Sequence, residues 1–99
     1  MEYDKPAKKG FTIYTKSGCP GCIKVKTLLQ ERNPIIIDCD EYLFDDRPRF
    51  KEFVNKMASK EIKQFPIVFY DGAYIGAYQE TYDLYNKIGI DIDELFQYE

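Results

Sequence analysis

The chain has 99 residues, 44% hydrophobic and 31% charged, which suits one compact domain that fills a core and keeps a solvated surface. Fourteen basic against seventeen acidic residues give a formal charge of −3, which argues against a nucleic-acid-binding protein, and no run approaches the roughly 20 apolar residues of a membrane span. Histidine is absent, which excludes Ser-His and Cys-His catalysis and leaves sulfur, carboxylate and lysine as reactive groups.

The first third of the chain predicts a leading segment followed by a β-α-β unit. Residues 1–10 are polar and lack apolar periodicity, so we expect a flexible N-terminal segment ahead of a domain at 11–99. Residues 11–15 are aromatic and β-branched, which predicts a strand. Apolar residues at spacings of three and four predict a helix over 20–32. The β-branched run 35–37 is typical of a strand that is covered on both faces in a parallel sheet.

The middle of the chain predicts a turn, a second helix and a hairpin. Residues 38–46 are acidic and turn-like, and Pro48 stands near the start of a helix that fades at about residue 60. Residues 66–70 and 73–76 predict two antiparallel strands, because an Asp-Gly pair between them suits a tight two-residue turn.

The last part of the chain predicts helix. A helical stretch begins near Gln79 or Glu80, and residues 91–96 predict one short further helix. Strands that alternate with helices in this order predict an α/β fold with helices on both faces of a sheet.

A Cys-Pro-Gly-Cys motif lies between the first strand and the first helix. Cys19 falls at the helix N-cap, where the backbone N–H groups of Gly21 and Cys22 and the helix dipole stabilise a thiolate. Such positions lower a cysteine pKa from about 8.5 to roughly 3.5–7.5. Pro20 suits the first helical position, and Lys16 adds a nearby positive charge. The pattern predicts Cys19 as nucleophile and Cys22, one turn on, as the thiol that resolves a mixed disulfide.

The third cysteine, Cys39, leaves an alternative open. Cys19, Cys22 and Cys39 could supply three ligands of a zinc site, but the chain has neither a histidine nor a fourth cysteine to complete it, and Asp38 or Asp40 would be a weak substitute. We expect Cys39 to be a small core residue or a cap of the strand before it.

From about residue 10 the chain resembles the dithiol glutaredoxins, a branch of the thioredoxin-fold superfamily. The resemblance rests on the strand, the Cys-Pro-x-Cys order at 19–22 and the Phe65-Pro66 pair ahead of a later strand. It implies a thioredoxin-like three-layer α/β/α sandwich with a four-stranded mixed sheet. It also implies a redox-active disulfide, electron transport, and glutathione as the reducing co-substrate, with no metal.

The resemblance assigns glutathione-binding roles to residues outside the motif. Pro66 matches the family's cis-proline, which frees the backbone of Phe65 to pair with glutathione; otherwise Pro66 simply opens a strand. Lys16 and Lys63 match basic positions that attract a glutathione carboxylate, and each is otherwise a solvated surface lysine. A helix N-terminus would hold the γ-glutamyl end, where Glu80 would meet its ammonium group, complement the helix dipole, or do both; this segment is Tyr78, Gln79 and Glu80.

Three departures from the family pattern bear on specificity. Gly21 replaces the usual aromatic residue between the cysteines and opens the rim over Cys22. Gln64-Phe65 replaces a usual Thr-Val. Ala77 replaces a glycine, and its Cβ would crowd glutathione if the backbone there had a positive φ.

The resemblance therefore predicts a glutathione-dependent thiol-disulfide oxidoreductase that reduces protein disulfides and glutathione mixed disulfides. The expected partners are glutathione and disulfide-containing or glutathionylated proteins, with ribonucleotide reductase implied by the family alone. We expect a cytoplasmic monomer that engages neither nucleic acid nor membrane. The alternatives are a glutaredoxin that binds an iron–sulfur cluster through Cys19 and glutathione, and a redox-inert interaction domain.

Overall fold

A computed structural model describes the backbone of residues 2–97 and the side chains of residues 2–87. The strands lie in the order β2-β1-β3-β4, with β1 parallel to β2 and the other pairs antiparallel. A 3-10 turn, Gln30–Arg32, extends the first helix. The elements are β1 (Phe11–Thr15), α1 (Pro20–Leu29), β2 (Ile35–Asp38), α2 (Asp40–Ala58), β3 (Ile67–Tyr70), β4 (Ala73–Gly76) and α3 (Tyr78–Gln97).

Two apolar cores lie on opposite faces of this sheet. On one face, side chains of β1 and β3 pack against α1 and α3; the buried members are Phe11, Ile13, Val25, Leu29 and Val68. On the other face they pack against α2; the buried members are Tyr14, Ile37, Cys39, Phe50, Val54, Ile62, Ile67 and Phe69. Alternation of side chains along β1 and β3 explains how the same strands serve both cores. The predicted three-layer α/β/α architecture is confirmed.

The predicted hairpin is also confirmed. Asp71 and Gly72 both have positive φ, 51° and 83°, as a two-residue turn with the strand twist requires. Strand β1 lies in the middle of the sheet, between β2 and β3. The loop that leaves its carboxyl end therefore lies beside the end of β2 and the start of β3, and this loop leads to Cys19.

The burial predicted for β2 is wrong. β2 does pair in parallel with β1, but it is an edge strand, and Ile35 and Ile36 are 51% and 49% exposed. A β-branched run reports strand propensity and does not specify strand order, which depends on pairings with distant segments.

The predicted turn over 38–46 is wrong for most of its length. Residues from Asp40 onward are helical, and Asp46, with φ −155° and ψ 84°, separates two helical segments within α2. Asp46 Oδ1 accepts a hydrogen bond of 3.0 Å from the backbone N–H of Arg49, so its carboxylate caps the second segment. The predicted helix start near Pro48 therefore matches that second segment.

Two further differences concern the ends of the chain. The helix predicted over 91–96 is the continuation of α3, which passes through Gly89 because one glycine costs a helix only about 1 kcal/mol. Residues 2–10 form no helix or strand, but they pack against the domain, which the sequence did not indicate. Tyr3 lies among aromatic rings of α2, and the backbone carbonyl of Asp4 accepts a hydrogen bond of 2.6 Å from the hydroxyl of Tyr14.

Candidate active site

Cys19 is the N-cap of α1. Its backbone is extended, with φ −122° and ψ 98°, and its Sγ accepts a hydrogen bond of 3.2 Å from the backbone N–H of Cys22. Pro20 occupies the first helical position, where no N–H is needed. The predicted helix-terminal setting of this sulfur is therefore present, and the N–H that reaches it is that of Cys22. When reduced, this sulfur is placed for thiolate stabilisation by the helix N-terminus.

Cys19 and Cys22 are joined by a disulfide, with their Cα atoms 5.3 Å apart. Cys19 is 7% exposed and Cys22 is fully buried, so Cys19 is the sulfur of the pair that is accessible from outside. This asymmetry agrees with the predicted roles of nucleophile and resolving thiol.

Cys39 belongs to the α2 core and does not join this pair. Its Sγ donates to the backbone carbonyl of Ile37 at 3.6 Å, and burial, reinforced by Asp38, raises the pKa of Cys39 to about 12. The prediction of a small core residue is confirmed. Among the residues that the structure describes, no three side chains of His, Cys, Asp or Glu gather as a metal-binding group.

A contact that the sequence did not predict holds the loop before Cys19. Both carboxylate oxygens of Asp40, at the start of α2, accept hydrogen bonds from Ser17: Oδ1 from the backbone N–H at 2.9 Å, and Oδ2 from the hydroxyl. These bonds, with the charge of Lys16 adding to them, lower the pKa of Asp40. No local pattern signals this contact, because the two residues come from different elements.

The Phe65-Pro66 bond is cis, as the resemblance implied. Pro66 is buried and lies against the motif: a Cβ built on Gly21 would stand 3.1 Å from Pro66 Cδ. The glycine between the cysteines thus allows close approach of the proline. Phe65 is half-buried, and Lys16 Nζ lies 5.6 Å from the centre of its ring.

A groove with a volume of about 670 Å³ begins at Cys19 and has Lys16, Phe65 and Lys63 in its walls. A second groove, of about 630 Å³, shares residues 61–64 with the first and reaches Gly76, Ala77 and Glu80. Lys63 is largely exposed and lies 3.9 Å from Glu61. The structure thus brings Lys16, Lys63 and Phe65 to the groove at Cys19, and it brings Glu80 to a second groove that shares the wall formed by residues 61–64.

The start of α3 lines the second groove. Glu80 Oε1 accepts a hydrogen bond of 2.9 Å from the backbone N–H of Ala77, so its carboxylate caps the helix. Gly76 has φ 148°, and a Cβ there would stand 2.6 Å from that same carboxylate oxygen. Ala77 is not among the residues with positive φ. The crowding of glutathione by its Cβ, which was expected only for a positive φ, therefore does not apply.

Two residues predicted for this site direct their side chains elsewhere. Tyr78 packs against the core between α1 and α3, with Lys24 Nζ 5.7 Å from its ring centre. The side-chain amide of Gln79 donates to Asp83 Oδ1 at 3.1 Å on the surface of α3. Neither residue lines either groove, so only their backbone groups remain candidates for glutathione binding.

Comparison with known proteins identifies the family of this chain. Residues 11–75 match the glutaredoxin family model. The chain belongs to the glutaredoxin family. It is 33% identical to glutaredoxin 1 of Rickettsia felis over 79 residues, which cover 80% of this chain and 74% of that protein. Glutaredoxin 1 of Rickettsia conorii is 32% identical over the same length and the same shares of each chain.

Solved glutaredoxin structures superpose on this chain. The crystal structure of glutaredoxin 1 from Francisella tularensis, complexed with cacodylate, gives a TM-score of 0.67 at 29% identity and covers 80% of this chain and 94% of its own. Reduced Escherichia coli glutaredoxin gives 0.60 at 24% identity, with 83% and 98% covered. This family member is a thiol-disulfide oxidoreductase, with Cys19 and Cys22 as its redox pair. Among the described helices, none has the length and apolar character of a membrane span.

Proposed function

We propose that this glutaredoxin uses glutathione to reduce protein disulfides and glutathione mixed disulfides. The observation that carries the proposal is the position of Cys19, at a helix N-terminus, slightly exposed, and one turn from a buried partner thiol. This position supports a thiolate at neutral pH.

The reaction that follows is two successive thiol-disulfide exchanges. The Cys19 thiolate attacks one sulfur of the substrate disulfide, so that a Cys19–substrate disulfide forms and the other substrate sulfur leaves as a thiolate. Cys22 then attacks Cys19 Sγ, which releases the second substrate thiolate and leaves the Cys19–Cys22 disulfide. Two glutathione molecules return the two electrons and leave as glutathione disulfide. A glutathione mixed disulfide needs Cys19 alone, because glutathione itself resolves the intermediate.

The groove at Cys19 and the neighbouring groove at the start of α3 support glutathione as the reductant. Lys16 and Lys63 offer positive charge for its carboxylates, and Phe65 offers its backbone beside the cis-proline. The backbone N–H groups at the start of α3, from Tyr78 to Glu80, suit the γ-glutamyl carboxylate. Since Glu80 already caps this helix, the ammonium of glutathione would meet a carboxylate that is held in place.

A pair of variants tests the two routes. Cys22→Ser is expected to retain reduction of a glutathione mixed disulfide and to lose most reduction of an intramolecular protein disulfide, whereas Cys19→Ser loses both. Rates are measured with glutathione and, separately, with thioredoxin reductase as the reductant. Loss of all deglutathionylation in Cys22→Ser, or turnover only with thioredoxin reductase, would contradict the proposal.

We also propose that the protein acts as a cytoplasmic monomer and that ribonucleotide reductase is among its substrates. Anaerobic purification tests the monomeric state together with the cluster-binding alternative. A colourless monomer is expected, and a brown dimer with visible absorption would indicate an iron–sulfur cluster.

A further inference from the structure

Hydrogen bonds, and not packing, hold the loop that joins β1 to Cys19. Ser17 and Gly18 in this loop are exposed. Gly18 has φ 68°, and a Cβ built on it would meet no heavy atom within 4 Å in the described part of the chain. The backbone N–H and the hydroxyl of Ser17 each donate a hydrogen bond, and Asp40 accepts both. The position of the loop therefore depends on Asp40.

Asp40 is itself held in place at the junction of β2 and α2. Its backbone N–H donates to Asp38 Oδ1 at 3.0 Å. The backbone N–H of the neighbouring Cys39 donates to the carbonyl of Thr15 at 2.8 Å, which joins the start of α2 to the end of β1. The Asp40 carboxylate is thus a fixed support, and both of its oxygens bond Ser17.

The loop places two groups of the redox site, Cys19 and Lys16. Cys19 acts as the N-cap through an extended backbone, which turns its sulfur towards the N–H of Cys22. Lys16 Nζ lies 5.6 Å from the centre of the Phe65 ring. Lys16 also lines two grooves that meet at Cys19, the first groove and a third of about 430 Å³. Because Ser17 lies between these two residues in the chain, a displacement of Ser17 moves both.

The charge of Asp40 does not explain a thiolate at Cys19. A carboxylate close to a thiol raises the thiol pKa, since like charges repel. Asp40 lines neither of the grooves that meet at Cys19. The charged side chains that line them are Lys16, Lys26, Asp38, Arg47, Lys51, Glu61 and Lys63. A direct electrostatic effect of Asp40 on Cys19 and a positioning effect therefore have opposite signs.

We propose that Asp40 is a positioning residue for Cys19: it holds Ser17, and through Ser17 it holds the N-cap backbone of Cys19 and the ammonium of Lys16. This role rests on the proposed function, because it concerns the thiolate that begins the exchange. It adds no covalent step, so the bonds that form and break stay as given above. The consequence is a larger thiolate fraction at neutral pH than in a protein whose loop is free.

Alkylation of Cys19 by iodoacetamide tests the proposal without glutathione or a disulfide substrate. The thiolate displaces iodide, so the rate for the reduced protein, followed at Cys19 by mass spectrometry over a series of pH values, reports ionisation. At pH values below the wild-type midpoint, Asp40→Ala is expected to react about fivefold more slowly, because a freed loop weakens the N-cap. The two rates are expected to converge in base, where both thiols are ionised.

Three further variants separate position from charge and from stability. Asp40→Asn keeps an oxygen that accepts from the Ser17 N–H, so its midpoint is expected at or below that of the wild type. Ser17→Ala loses the hydroxyl donor alone and is expected to lie between the wild type and Asp40→Ala. The matched control is Asp46→Ala, which removes a carboxylate that accepts a backbone N–H in α2 but lines neither groove. The control is expected to lower the melting temperature and keep the wild-type profile.

Four results would overturn the inference. The first is an unchanged profile in Asp40→Ala, or in Ser17→Ala if Asp40→Ala does not fold. The second is an Asp40→Asn profile equal to that of Asp40→Ala, which would mean that the oxygen acceptor is not what matters. The third is a midpoint at lower pH in Asp40→Ala, which would indicate a direct effect of charge. The fourth is an equal shift in Asp46→Ala, which would indicate general destabilisation.

Failure of the proposed function looks different from failure of this inference. The wild-type protein would then fail to reduce hydroxyethyl disulfide with glutathione, while the order of the alkylation rates among the variants would stay as expected.

Discussion

The three cysteines differ in what surrounds their sulfur atoms. Cys19 Sγ receives a backbone N–H at a helix N-terminus, and Cys22 lies one turn on beneath it. Cys39 is buried, its sulfur does not cap α2, and its Sγ donates a hydrogen bond to the backbone carbonyl of Ile37. The three thiols therefore differ in expected reactivity because of their positions in the fold, although they have the same chemistry in an unfolded chain.

The raised pKa of Cys39 predicts that the folded protein loses stability at high pH. Its folded-state pKa of about 12 lies above the unfolded value of about 8.5, so the folded state favours the neutral thiol. The resulting stabilisation is complete below about pH 8.5 and falls as pH rises towards 12. Urea unfolding of the oxidised protein should show a fall in stability between about pH 8.5 and 10 that Cys39→Ala lacks; above about pH 10 both proteins lose stability, because burial also raises the pKa of Tyr14. Parallel curves for the two proteins would refute this assignment.

Asp40 predicts the opposite dependence, in acid. Its folded-state pKa is lowered by its hydrogen bonds with Ser17, so it stabilises the fold above the unfolded value of about 3.9 and stops doing so as pH falls through the folded value. The melting temperature of the wild-type protein should exceed that of Asp40→Asn at pH 7, and the difference should shrink below about pH 4. Ser17→Ala, which removes the hydroxyl donor, serves as the matched variant. A difference that stays constant with pH would mean that the charge of Asp40 contributes nothing.

At the scale of elements, the segment before β1 is attached to α2. The ring of Tyr3 lies 4.9 Å from that of Tyr42 and 5.2 Å from that of Phe50, in edge-to-face arrangements. The guanidinium of Arg49 lies 5.6 Å from the centre of the same ring. These contacts include Phe50, which lines the groove at Cys19, so the segment before β1 supports the α2 wall of that groove.

The Tyr3 contacts predict a specific stability difference. Tyr3→Ala should lower the free energy of unfolding by about 1–3 kcal/mol, since a half-buried aromatic ring is removed from a cluster. The Tyr3 hydroxyl is buried and, among the described residues, has no hydrogen-bond partner. Tyr3→Phe should therefore be neutral or slightly stabilising in the same denaturation experiment. Equal destabilisation by both variants would show that the hydroxyl is bonded.

At the scale of the whole molecule, the sequence predicts the features that depend on residues close together in the chain. The motif at 19–22, the Asp71-Gly72 turn and the helical stripe of α1 each depend on neighbouring residues, and the structure has them as expected. The cis state of the Phe65-Pro66 bond followed from family resemblance. Local sequence alone leaves an X-Pro bond mostly trans.

The features that the sequence did not predict depend on tertiary contacts. The exposure of Ile35 and Ile36 depends on which strand lies beside β2, and the bonds of Asp40 with Ser17 join residues 23 positions apart. Arg47 and Lys51 form an ordinary basic spacing on a helix surface until the fold places that surface beside Cys19. A site that several segments build leaves no continuous pattern in the chain.

Asp46, whose backbone is extended, divides α2 into two helical segments. The redox pair lies on the loop and helix at Cys19, while the helical segment that Asp46 caps contributes Phe50, Lys51 and Val54 to the wall of the groove. Substitutions in that segment should therefore alter which molecules the groove accepts and leave the hydrogen bond from the Cys22 N–H to Cys19 Sγ in place.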